Sequence, residues 1–73
     1  MEELINRLEK EKAELEIKST KLKDFIIFNK EFLKLDELSR NLLQAQDNVM
    51  DAYISILDLR INHLKEMNCN ESN

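Results

Sequence analysis

Residues 37–67 read ELSRNLLQAQDNVMDAYISILDLRINHLKEM, a stretch with neither glycine nor proline. Within it Leu43, Met50, Leu57 and Leu64 recur every seven residues, with Ile54 and Ile61 beside them. An apolar repeat of that period is the seam by which one helix packs on another. Leu42, Val49 and Ile56 make a second stripe next to the first. A face that wide needs more cover than one neighbouring helix supplies.

Outward from this helix the punctuation is sparse. Asp36 is a candidate N-cap, and Ser39 an alternative start with Leu38 and Leu43 at staple spacing. Residues 29–36 carry Phe32, Leu33 and Leu35 and read as an apolar corner or one extra helical turn. Asn29 suits the break, because asparagine tolerates the left-handed backbone that ends a helix where glycine is missing. Before it, residues 2–28 form a first helix, with Leu8, Leu15 and Leu22 at heptad spacing and Ile5 and Ile26 at the complementary position. Lys12 and Ser19 interrupt that seam. Either the bundle is partly wet there, with Lys12 snorkelling, or the seam opens into a cavity. Residues 68–73 are polar and are expected to be a disordered tail.

The fold expected is all-α: an antiparallel two-helix hairpin over residues 1–67, with helices 2–28 and 37–67 joined by the corner. Two helices cannot cover all these apolar stripes, so the hairpin is expected to assemble into a homo-oligomeric bundle, a dimer or a tetramer.

Composition narrows the function further. The chain has 73 residues, 36% of them charged, no Gly and no Pro. Phosphate-cradling glycine loops are therefore absent. A net charge of −4 argues against binding duplex nucleic acid, which is driven by Lys and Arg on phosphate. The longest apolar run, Phe25–Phe28, is far short of a membrane span. The single Cys69 allows no internal disulfide, and the N-terminus lacks a leader's basic and apolar regions. A soluble cytoplasmic protein is expected.

No serine lies within a helical turn of the only histidine, His63, and no Glu-x-x-His or second His or Cys completes a metal site. We therefore expect no enzyme, no metal and no cofactor. Asp47, Asp51 and Asp58 share a face, read as solvated. The unusual stripe is Gln46, Tyr53 and Arg60, seven residues apart. Tyr53 offers a ring and a hydroxyl, Arg60 a guanidinium suited to phosphate or carboxylate, and Gln46 an amide for a base edge. The same residues serve equally to pair across a bundle and fix its register, and the residues alone favour that structural use.

The segments Arg7-Leu8, Glu14-Leu15, Lys21-Leu22 and Phe25-Ile26, then Phe32, Leu35, Leu42-Leu43, Gln46, Met50, Tyr53, Leu57 and Arg60-Ile61, resemble a family of small phage-encoded helical-hairpin proteins, the crAss-phage-related proteins. The resemblance runs nearly to residue 64. It implies a phage protein acting in the cytoplasm of an infected bacterial host, one of the oligomeric sponges that sequester cyclic oligonucleotide signals of CBASS defence. Under it Arg60 with Lys18 or Lys21 would hold phosphate, Tyr53 or Phe25 would stack on a base, and Gln46 would read a base edge. A two-fold axis would present each group twice to a cyclic dinucleotide. The competing expectations are a protein-binding inhibitor or adaptor, anti-CRISPR-like or transcription-modulating, and a purely structural oligomer.

Overall fold

The computed structural model describes residues 1–72, with side chains through Cys69. It contains α1 (Glu2–Phe28), α2 (Lys30–Lys34) and α3 (Glu37–Ser72), with no strand among the described residues. Along α1 from Glu9 through Lys12 to Lys23, the ion-pair partners on α3 descend from Lys65 through Asp58 to Asp47. The two long helices are thus antiparallel. The molecule is a rod of 57 × 16 × 14 Å.

The corner departs from the expected left-handed stop. Asn29 is extended (φ −92°, ψ 123°), and none of the described residues takes a positive φ. Its side-chain Oδ1 instead accepts the Glu31 N–H at 2.9 Å, so Asn29 ends α1 and caps α2 with one conformation. Asp36 caps α3, accepting the Ser39 N–H at 3.2 Å and the Ser39 hydroxyl. These bonds, the Ser39 hydroxyl's first, hold the Asp36 carboxyl below its ordinary pKa. The far end needs correction. α3 does not stop at Met67 but runs through Ser72, replacing the tail expected from residue 68, while Asn73 lies outside the described residues. Nothing in residues 68–72 breaks a helix, for there is no Gly or Pro.

Apolar packing is concentrated at the two ends of the rod. Ile5, Leu8, Leu57 and Ile61 form a buried cluster, with Leu4, Leu15 and Leu64 packed against it. At the corner the buried Phe32 meets Phe25 edge-to-face, ring centres 6.1 Å apart. Between the ends, ion pairs run alongside the half-buried Leu22, Met50 and Ile54.

Candidate functional site

The polar middle is built by the two seam interruptions. Lys12 donates to Asp58 at 2.7 Å. About three turns further on, Lys23 reaches Asp47 and, at 2.7 Å, Asp51, while also donating to the Ser19 hydroxyl at 3.0 Å. Ser19 is buried and itself donates to Asp51 at 3.3 Å. The seam interruptions at Lys12 and Ser19 are therefore bridged by ion pairs and the Ser19 hydrogen bonds. Nor are Asp47, Asp51 and Asp58 a purely solvated face: they edge α1 because its lysines stand opposite. The hydrogen bonds that Lys12 donates to Asp58, and Lys23 to Asp47 and Asp51, raise both ammonium pKa values. The Lys23 hydrogen bond, with its charge, lowers that of Asp51.

The six candidate ligand residues fall in separate places. Tyr53 and Lys18 line one small depression of about 180 Å³ with Glu11, Glu14 and Leu15. The Tyr53 hydroxyl donates to the Glu11 carboxylate, and that bond, then burial and the Glu11 charge, pushes its pKa up against the opposing pull of Arg60. Two carboxylates beside one ammonium make this depression a poor seat for phosphate in the single chain. Lys21 and Phe25 line a broader bowl of about 660 Å³ beside the corner, with Asp24, Phe28, Asn29 and Lys30. Among the described residues neither Lys21 nor Lys30 makes an ion pair. Gln46 and Arg60 are exposed on α3 and line neither feature. Arg60 likewise makes no ion pair among the described residues, so it does not pair across the hairpin.

Sequence reasoning overlooked Phe28 and Lys30. The signal was present in Phe25-Ile26-Ile27-Phe28, because four consecutive apolar residues cannot all face one partner helix. Ile27 and Phe28 are the two left out, 67% and 78% exposed. The bowl thus combines two free ammonium groups with aromatic edges and one carboxylate, a surface suited to an anion that also carries an apolar ring. No group of three or more His, Cys, Asp or Glu side chains is placed to hold a metal among the described residues. No helix among them is long and apolar enough to cross a membrane.

Fold and surface together define a small all-α hairpin whose candidate sites are made of side chains on open helix faces. The Sequestin family model matches residues 2–63, and the chain belongs to the Sequestin family. The family's name suggests sequestration of a ligand, which fits a binding protein rather than an enzyme. No curated protein and no solved structure matches it.

Proposed function

We propose that this protein withholds a nucleotide signal, a cyclic dinucleotide, in pockets of a homo-oligomer without cleaving it, and so counters CBASS-type defence during phage infection. Membership of the Sequestin family over most of the chain carries this reading. The surface chemistry supports it. Lys21 and Lys30 supply unpaired cations for phosphate beside the Phe25 and Phe28 rings, and guanidinium, phenol and amide groups stand exposed along α3 at Arg60, Tyr53 and Gln46. Sequestration asks only for affinity, and such groups give it without an activated nucleophile.

Isothermal titration against cyclic di- and trinucleotides and their linear counterparts tests the reading. Saturable heat, with the nucleotide recovered intact after the protein is denatured, is the expected result. Absence of heat with every member, or recovery of a cleaved product, overturns it. The second reading, a helical inhibitor that binds a host protein, draws on one observation: the α3 stripe of Leu42, Val49 and Ile56 is more than half exposed. It predicts a stoichiometric protein partner whose capture survives Arg60→Ala and Tyr53→Ala.

A further inference from the structure

The outer face of α3 carries a second seam that the hairpin leaves uncovered. Leu38, Leu42, Ala45, Val49, Ala52, Ile56 and Leu59 follow one another at alternating steps of four and three residues, the spacing of a helix–helix seam. All seven are exposed, Leu38 at 64%, Val49 at 67% and Leu59 at 68%. From Leu42 to Leu59, about 26 Å of helix at about 1.5 Å per residue, this face bears no free charge. Between Asn41 and Leu59 the only charged residues are Asp47, Asp51 and Asp58, and all three are paired with Lys12 or Lys23 of α1. The outer side of α1 is the opposite, studded with exposed Glu2, Glu3, Lys10, Glu14, Glu16 and Lys21.

We propose that a second copy of this chain docks on this seam, antiparallel to the first. Three observations select that occupant. Paired antiparallel with itself, the seam sets small residues against larger ones, Ala45 opposite the second copy's Ile56 and Ala52 opposite its Val49. A surface that complements itself in this way closes under a two-fold axis. Next, two copies that each carry a net charge of −4 meet here without opposing like charges. Finally, a compact monomer of 8.7 kDa exposes about 4,700 Å², whereas this chain exposes 5729 Å². The excess, roughly 1,000 Å² by that scaling, exceeds the approximately 800 Å² each partner gives up in an interface of standard size.

Setting Val49 against the second copy's Ala52 places Ala45 against its Ile56 and Leu42 against its Leu59, so that small residues meet larger ones at the centre. The two-fold axis keeps like flanks on the same side. Gln46, Tyr53 and Arg60, each four residues beyond a seam position, then border one groove with the second copy's Gln46, Tyr53 and Arg60. The two Tyr53 positions stand about 7.5 Å apart along the groove, given about 1.5 Å per residue, with an Arg60 toward each end. This deepens the assembly half of the proposed function, on which it rests, and gives the Tyr53 stripe a site that one chain cannot form.

Sedimentation velocity on the full chain, without nucleotide, tests it. The wild type is expected at twice 8.7 kDa or a multiple of that mass. Val49→Glu is expected to halve the mass or bring it to that of one chain, with far-ultraviolet circular dichroism still helical. Ile17→Glu, at an exposed apolar position on α1 (57% against 67% for Val49), is expected to leave the mass unchanged. As a readout that does not depend on the folding of Val49→Glu, Val49→Cys with Ala52→Cys in a Cys69→Ser background is expected to give a disulfide-linked dimer under mild oxidation. A wild type that sediments as one chain overturns the proposal, as does a Val49→Glu variant of unchanged mass. So does a wild type that stays single until it meets a host protein. An oligomer that binds no nucleotide overturns the ligand reading and leaves the seam intact; a monomer that binds one does the reverse.

Discussion

Lys23 on α1 lies 2.7 Å from Asp51 on α3 and bonds Asp47 as well, one ammonium shared between two carboxylates of the facing helix. The buried Ser19 hydroxyl bridges the same group. Replacing Lys23 by Met would leave both carboxylates facing each other and Ser19 without its donor. Like-charge repulsion and the lost bonds act in the same direction. Lys23→Met should therefore lower the thermal midpoint more than Lys10→Met, which removes an exposed lysine that forms no ion pair among the described residues. Parallel melts followed by circular dichroism check it.

Stability should show two pH limbs. The Asp51 pKa is lowered in the fold, chiefly by the hydrogen bond from Lys23. Its contribution is complete above the unfolded carboxylate value, about 3.9, and is lost as pH falls through the lower folded value. Lys12 and Lys23 are raised, chiefly by hydrogen bonds to Asp58 and to Asp47 and Asp51. Their contribution is complete below about 10.4 and is lost as pH rises through the folded values. Melting midpoints across pH should be flat through neutrality and fall at both extremes, and Lys23→Met should flatten both limbs.

Tyr53 is the only tyrosine, and the chain has no tryptophan, so its ionisation can be followed by ultraviolet absorbance without interference. The hydrogen bond to Glu11 raises its pKa above the ordinary value. Glu11→Gln should bring the titration back toward about 10. A wild-type curve centred at or below the ordinary value would show that the Tyr53–Glu11 bond does not persist in solution.

Leu57 is fully buried in the cluster with Ile5, Leu8 and Ile61. Leu57→Ala should cost about 2–5 kcal/mol, a large share of what so small a chain holds, and denaturant unfolding measures it. Asn29→Ala removes the α2 cap and should cost about 1 kcal/mol.

Arg60 is exposed and makes no ion pair among the described residues, so Arg60→Ala should leave the chain's melting midpoint essentially unchanged. If it holds phosphate in the assembly, the same change should weaken nucleotide binding by about ten- to a hundredfold, the equivalent of one charge-assisted hydrogen bond. Calorimetry on both proteins separates the two effects. Lys21→Ala with Lys30→Ala tests the corner bowl in the same way.

Much of this was legible in the chain itself. Periodicity of Leu43, Met50, Leu57 and Leu64 against Leu8, Leu15 and Leu22 determines two helices, because side-chain spacing on a helix is local geometry. The absence of Gly and Pro likewise determined that any site must be assembled from helix faces. The partners of Lys12 and Lys23 were not legible: each lies at least 24 residues away, and only the antiparallel register brings Asp58, Asp51 and Asp47 opposite. Tertiary structure alone decided that polar bonds between the helices bridge the seam interruptions. It also decided that Tyr53 shares a depression with Lys18 but not with Lys21 or Arg60, and that the Leu38–Leu59 face lies outside. Composition sets how much apolar surface a chain carries, but only packing decides which part of it stays in water.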